Sequence, residues 1–392
     1  MVRFIFAFIA AFALPLSAVA QVQQGAPNAG FKPAFKNQTR APEIRDGTRL
    51  QVQQIASGLN HPWGIAVLPG GGYLVTERRG RLQHVSASGK VTRVRGAPRV
   101  AAKGQGGLLD VALADDFATS RRVFLTYSKP LSGRTQATAA GVATLSADAS
   151  RLSNFRDIFV HTPGVNAGIH FGSRIVIKGN AAFITVGDRN QLKMPQNLGT
   201  TVGKVVRVAI DGRVPGSNPF TQREGARPEI WSYGHRNPQG AALHPRTGEL
   251  WTLEHGPKGG DELNLISPGV NYGWPVVSYG IDYNGSSVGR GISRSGGMAE
   301  PRYYWDPVIA PGDMTFYNGR MFQGWNGDVV AASLNPGGIV RLKLRGDRVT
   351  GEARYLRKLG RVRDVDVDRD GALLVITDDP NGGLFRVTPA GG

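Results

Sequence analysis

Residues Asp364–Asp379 read DVDVDRDGALLVITDD. Acid and valine alternate through Val367, Asp370 and Gly371 make a turn, and an apolar run ends in Thr377 and two acids. Alternation with a period of two puts successive side chains on opposite faces, so the stretch reads as two short strands joined by a tight turn. Five further stretches follow the same plan: GIAV from Gly64 with GYLVTER from Gly72, DVALADDF from Asp110 with RVFLTYS from Arg122, SRIVIKGN from Ser173 with AFITVGD from Ala182, GAALHPRTG from Gly240 with ELWTLEHG from Glu249, and DMTFYNG from Asp313 with GDVVAASL from Gly327. Several continue into a third strand, as at Leu82, Val205, Ile339 and Leu384. The unit starts lie 46 to 73 residues apart, so loops of different length separate them. A sandwich with coincidental hairpins competes poorly with six matching units. Multi-stranded repeats at this spacing mark a β-propeller, whose sheets bury their faces only by stacking around an axis. The expected fold is all-β, a six-bladed β-propeller. Its inner strands would bring Gln105, His170, Asp188, Arg236, Gly256, Arg361 and Arg363 to a common mouth.

Composition agrees. The chain has 54 glycines, 19% charged residues and 41% hydrophobic residues among 392, which suits many tight turns around a sizeable core. Residues 1–20, MVRFIFAFIAAFALPLSAVA, have a basic start, a short apolar run and an Ala-x-Ala end, and are expected to be a signal peptide for export to the periplasm. No second apolar run of spanning length follows, so no membrane insertion is expected after cleavage. Residues 21–45 are polar and Pro-rich without periodicity and are expected as a flexible leader; residues 46–392 form the single propeller domain. There is no cysteine, hence no disulfide. The formal charge is +18, but basic residues are scattered, with no basic helix or aromatic-interleaved stripe, which argues against a nucleic-acid partner.

Most candidate chemistry lies in Trp231–Pro275, a stretch punctuated by Gly and Pro that holds Arg236, Asn237, Glu254, Asp261 and Glu262. These carboxylates, Asp282 a little later, and carbonyls freed at Gly256 and Pro257 are oxygen donors of the kind calcium prefers. His170 suits a general base near neutral pH, although a lone histidine is more often structural. Asp188 is placed to fix the tautomer of such an imidazole, or merely to cap a turn. Arg361 and Arg363 flank one apolar residue and so share a face; they call for an anionic ligand, or sit solvated on an edge strand. GQGG at Gly104–Gly107 lacks the spacing of a dinucleotide or phosphate loop, and no serine nucleophile elbow or zinc-type histidine pair is present.

Taken in order, GQGGLLDVALADDF from Gly104, HFGSRIVI from His170, ITVGDRNQ from Ile184, YGHRNPQG from Tyr233, EHGPKGGDELN from Glu254, NYGWP from Asn271 and GRVRDV from Gly360 resemble the pyrroloquinoline quinone-dependent soluble aldose sugar and glucose dehydrogenases. The resemblance runs from about residue 50 to the C-terminus. It implies a six-bladed propeller that oxidises the C1 hydroxyl of aldoses to lactones and passes electrons to an acceptor of unknown identity. His170 would be the base, Asp188 its orienting partner, and Arg236 the stabiliser of charge on the quinone. Gln105, Asn237, Arg361 and Arg363 would hold the cofactor; Gly256 and Pro257 would ligate the calcium ion beside it; Glu262, Tyr272 and Asp282 would form a second calcium site. A monomer is expected. The chain departs from the family where Asn335 stands for a cofactor-binding lysine and Val308 for a threonine, with Lys258 or Lys204 as possible replacements for the charge. Two other readings stay open: a calcium-dependent propeller hydrolase such as a lactonase, which would not need the arginine pair, and a non-catalytic sugar-binding propeller, which Asn335 favours.

Overall fold

The computed structural model describes residues 20–391. It contains six four-stranded antiparallel sheets, each built from strands consecutive in sequence except one. The exception takes its outermost strand, Leu50–Leu59, from the N-terminal side and its other three, Val362–Val367, Leu373–Thr377 and Gly382–Pro389, from the C-terminal side. Pairing runs from Leu50 with Pro389 to Leu59 with Gly382 and closes the ring. The six alternating units read in the sequence are the inner hairpins of the six blades. The first segment of each lies in an innermost strand: Pro62–Val67, Leu108–Leu113, Gly172–Lys178, Pro238–Leu243, Pro311–Phe316 and Val362–Val367. Apolar residues of neighbouring sheets mesh in shared clusters, as where Val111, Leu125 and Ala139 of the second blade meet Leu74 and Leu82 of the first. The stretch expected as a signal peptide, apart from Ala20, lies outside the described residues, and no described helix is long and apolar enough to cross a membrane.

Every innermost strand breaks register with its neighbour near its start, between Pro62 and Ile65, Leu108 and Val111, Gly172 and Ile175, Pro238 and Gly240, Pro311 and Met314, and Val362 and Asp364. A bulge re-aims the residue it contains. Here the bulged positions include Asp110, Arg174, Gln239, Asp313 and Arg363, all turned to the axis or to the mouth above it.

Arg174 is the hub. Its guanidinium contacts Asp110 at 2.7 Å, Asp313 at 3.0 Å and Asp364 at 3.3 Å, and donates to the carbonyls of Gln239 and Gly312. Asp364 in turn accepts the Ile65 N–H, and Asp110 accepts the Ile175 N–H. One side chain of the third blade is thereby linked to all five others. Burial pushes the Asp110 carboxyl up to about 6 against the pull of Arg174. Burial would also weaken Arg174 as a base, but the three aspartates reverse this and raise it above its usual value.

The leader differs from expectation. Residues 21–44 form an ordered strap along the fourth and fifth blades. Glu43 bridges in parallel to Glu352 on the outer strand Arg348–Tyr355; Gln38 and Ala41 are fully buried; and the Gln38 carbonyl accepts the Tyr304 N–H. Its anchors are isolated polar residues, main-chain groups and scattered apolar residues such as Ala41 and Phe31, so it shows no hydrophobic period that a sequence reading could detect.

Replacing Arg174 with Leu strands three buried carboxyls, and unfolding in urea should show a loss of about 3–5 kcal/mol; an unchanged midpoint would remove the hub from the stability account. His161 is 1% exposed, and burial, then Arg189, hold its pKa down to about 3. Below about 6.5 the unfolded chain takes up a proton that the folded chain refuses, so stability falls as pH drops from about 6.5 towards 3. His161→Asn should flatten this acid limb by up to roughly 1.4 kcal/mol per pH unit, read from denaturation midpoints at stepped pH.

Candidate active site

At the end of the axis where the inner strands begin lies a cavity of about 220 Å³. Gln105, His170, Arg236, Asn237, Arg361 and Arg363, all singled out in the sequence, line it together. Asp188 stands just behind, fully buried, with His170 Nδ1 2.7 Å from its Oδ1. Its Oδ2 accepts Trp274 Nε1–H at 2.7 Å, and Oδ1 also accepts the Asn190 N–H at 2.7 Å. With Nδ1 engaged in this way, Nε2 of His170 is the nitrogen left for a ligand. The His170 backbone is left-handed, with φ of 53°, and Gln105 Oε1 accepts its N–H at 2.8 Å. Asn237 Oδ1 accepts the Gly172 N–H, tying the next strand to the same corner.

The opposite wall is basic. Arg363 donates to Gln239 Oε1 at 2.8 Å and to Asp378 Oδ2 at 2.9 Å; Arg361 reaches Asp378 at 3.2 Å; Arg78 lies 3.9 Å from it, and His61 Nδ1 lies 2.9 Å from it. Burial would raise the Asp378 carboxyl, but Arg363, His61 and Arg78 outweigh it and hold it well below the usual range. The lining holds four arginines, Arg78, Arg236, Arg361 and Arg363, and one carboxylate, that of Asp378, which three of the four approach, so guanidinium groups outnumber carboxylates. The Nε–H groups of Arg236 and Arg363 are buried without a partner among the described residues. Orphaned charged donors are costly to bury, so the pocket fits a polyanionic ligand such as a tricarboxylate. Trp63 carries Arg174 4.4 Å from its ring centroid and Arg363 5.8 Å from it, which connects the hub to this wall.

Arg78, Asp378, Gln239, His255 and Trp63 were not singled out in the sequence. Arg78 and Asp378 carried a usable signal, since each sits at or just past the end of a unit's second strand. Asn335 is exposed and does not line the cavity, where its neighbour Leu334 does. Lys204 does not compensate: it is buried and gives its ammonium to the carbonyls of Met194, Pro195 and Val202. Lys258 is exposed and lies outside the lining. Tyr304 and Trp305 are core residues, whereas Tyr283 lines the cavity and is 69% exposed at its rim.

Beside the pocket, behind Arg236, Gly256, Glu254, Glu262 and Tyr272 enclose a cavity of about 10 Å³, the size of one water or ion. Burial and the adjacent Glu254 push the Glu262 carboxyl well above its usual value. The two carboxylates are oxygen donors of the kind a hard cation takes, with both oxygens of Glu254 already accepting hydrogen bonds, from Asn264 Nδ2–H and the Arg236 N–H. Pro257 is the next residue along and is buried. Asp282 does not join them: it is exposed and its Oδ1 accepts the Tyr283 N–H. Among the described residues no three acidic or imidazole side chains converge as a metal site.

Comparison with known proteins gives a consistent result. Residues 59–386 match the family model described as Glucose / Sorbosone dehydrogenase. The chain is 42% identical over 345 residues to aldose sugar dehydrogenase YliI of Escherichia coli, covering 87% of this chain and 93% of that one. The crystal structure of the soluble aldose sugar dehydrogenase from E. coli in the apo-form superposes with a TM-score of 0.84 at 41% identity, over 87% of this chain and 100% of the other. The PQQ-bound form of an aldose sugar dehydrogenase from Streptomyces coelicolor gives 0.71 at 26% identity, over 87% and 99%. With the family model spanning nearly the whole ring and both corners of the pocket, this chain belongs to the glucose/sorbosone dehydrogenase family.

Proposed function

We propose that the protein is a periplasmic, pyrroloquinoline quinone-dependent dehydrogenase that oxidises the C1 hydroxyl of aldoses to the lactone. The observation that carries this reading is the excess of arginines over carboxylates in a pocket that also holds a histidine–aspartate pair. Arg363, Arg361 and Arg78 would take the carboxylates of the cofactor, and the orphaned Nε–H groups of Arg236 and Arg363 would find acceptors there. Gly256 and Pro257 would offer carbonyls to a calcium ion beside the quinone, and Glu262 with Tyr272 would hold a second ion. Such a cofactor would supply the two-electron acceptor for the C1 hydride, and a calcium ion held beside it would supply Lewis-acid polarisation.

His170 Nε2 takes the C1 hydroxyl proton as the hydride leaves, so C1 becomes a carbonyl and the sugar a lactone. Asp188, held by Trp274 and Asn190, keeps the Nδ1–H tautomer and stabilises the imidazolium that forms. Arg236, 5.3 Å from the Trp274 ring centroid with one guanidinium nitrogen on the His255 carbonyl, is fixed to stabilise negative charge developing above it. Tyr283 at the rim offers an aromatic face to the sugar ring. Electrons then pass to an external acceptor, and the monomer suffices for all these steps.

Adding pyrroloquinoline quinone and calcium to the purified protein should give saturable binding, followed by reduction of the cofactor's absorption on adding aldoses. Lactone hydrolysis with no quinone bound would overturn the reading in favour of a hydrolase. His170→Gln should bind the cofactor normally yet reduce dye with turnover lowered by about 10²–10⁴; unchanged turnover would remove His170 from the mechanism. Arg363→Ala should instead weaken cofactor binding by about 10–100-fold, the loss of one charge-assisted contact, in a tryptophan-quenching titration.

A further inference from the structure

The strap lies outside the residues that match the family model, which begins at residue 59. One of its contacts reaches the pocket. Asp306 is 3% exposed, and among the described residues no cation forms a salt bridge with its carboxylate. Its three hydrogen bonds all come from the strap: Asn28 N–H and Nδ2–H reach Oδ1 at 2.8 Å, and Ala29 N–H reaches Oδ2 at 2.7 Å. Arg40 of the strap also donates to the Asp306 carbonyl at 2.7 Å and to Gly25 at 2.8 Å, which draws the turn around residues 25–29 onto this spot.

On its other side the same carboxylate packs against Gly259. A Cβ at Gly259 would sit 2.7 Å from Asp306 Oδ1, so the two fit only because that position is glycine, with φ of 85°. Gly259 belongs to the turn that begins with Gly256 and Pro257. The turn is fastened to the loop after Asp306 by a second carboxylate: Asp261 accepts the Gly256 N–H on Oδ1, and the Ile309 and Ala310 N–H groups on Oδ2, at 2.7–2.8 Å. Ala310 lines the pocket, and Gly256 borders the ion-sized cavity. Strap, Asp306, the 306–310 loop and the 256–261 turn therefore form one continuous hydrogen-bonded stack that ends at the site.

We propose that the strap is a positioning element of this site: by satisfying Asp306, Asn28 and Ala29 hold the 256–261 turn and the 306–310 loop in the arrangement that receives the cofactor and its metal ion. This rests on the proposed function for the identity of the ligand, but not for the coupling itself. Without the strap's donors the Asp306 carboxylate is left buried and unpaired. It then turns outward or admits water, and either movement releases Gly259 and the loop beside it.

The test uses the full chain with Asp306→Ala, and separately Asn28→Ala combined with Arg40→Ala, which loosens the strap while leaving Asp306 in place. Hydrogen exchange of the cofactor-free protein should show the Gly256, Ile309 and Ala310 amides opening at least about tenfold faster, while Ile65 and Ile175 at the axis keep their protection. Affinity for pyrroloquinoline quinone with calcium, read by tryptophan quenching, should fall about tenfold or more. Unchanged exchange at Ile309 and Ala310 in Asp306→Ala overturns the proposal, as does unchanged affinity where exchange has quickened. If Asp306→Ala does not fold, the strap-side double variant decides on the same two readouts. Failure of the unaltered protein to bind the quinone would sink the proposed function, and the exchange comparison would still decide the coupling.

Discussion

The guanidinium of Arg174 lies on the axis, and the ring is organised by what it needs. A buried cation must be surrounded by acceptors, and six inner strands converging at one end supply them: three carboxylates and two carbonyls, from four different blades. Geometry makes this possible through the bulge that recurs at the start of every inner strand, because an unbroken ladder would leave these residues facing along the sheet. The aspartates have the converse need. Each would be costly to bury alone, and Asp110 and Asp364 also accept backbone N–H groups of neighbouring strands, from Ile175 and Ile65. The hub thus fixes how the blades are set relative to one another, which burial of apolar side chains, being non-directional, does not do.

One layer above, the same physics runs in the opposite direction. Arg78, Arg361 and Arg363 are gathered around a single aspartate with Arg236 on the same cavity, and among the described residues two of their donors have no partner. The hub sets three carboxylates around one guanidinium, whereas the pocket lining holds four guanidinium groups and one carboxylate. Such a site is destabilising until it is filled, and its affinity for an anion is bought with that strain. Trp63, whose ring centroid is 4.4 Å from the Arg174 guanidinium and 5.8 Å from that of Arg363, lies between the carboxylate-rich layer and the arginine-rich one.

The blades were legible because a period of two survives in every inner hairpin, as in DVDV from Asp364, and the turn residues between strands are the ones such turns demand. His170, Asp188, Arg236, Asn237 and the Arg361–Arg363 pair stood out because the family order of motifs accompanies them. What escaped was set by partners distant in sequence. Asp378 and Arg78 look like ordinary strand ends until the sixth and first blades meet. Asn335 sits beside a pocket residue in the chain but points away from the pocket in space, and the Lys204 charge is absorbed by three carbonyls that no pattern announces. Asp282 has the right chemistry in a turn that carries it to the surface. The strap was misread for a related reason: Gln38, Asn28 and Arg40 are anchors only because Glu300, Asp306 and Tyr304 happen to face them.

The blade assembled from both ends of the chain sets an order on folding. Its strand Leu50–Leu59 has no neighbour until Gly382–Pro389 exists, and the strap's bridge at Glu43 waits for Glu352. Five blades are composed of residues close in sequence and can form as the chain lengthens, but the ring that aligns them cannot close before the last strand is made. Until then an incomplete chain carries an exposed strand edge at its beginning and a half-built wall at its pocket, a template for pairing with other chains. Completion of the ring is therefore a single late event, and loss of only the final ten or so residues undoes a seam that holds the first blade against the sixth.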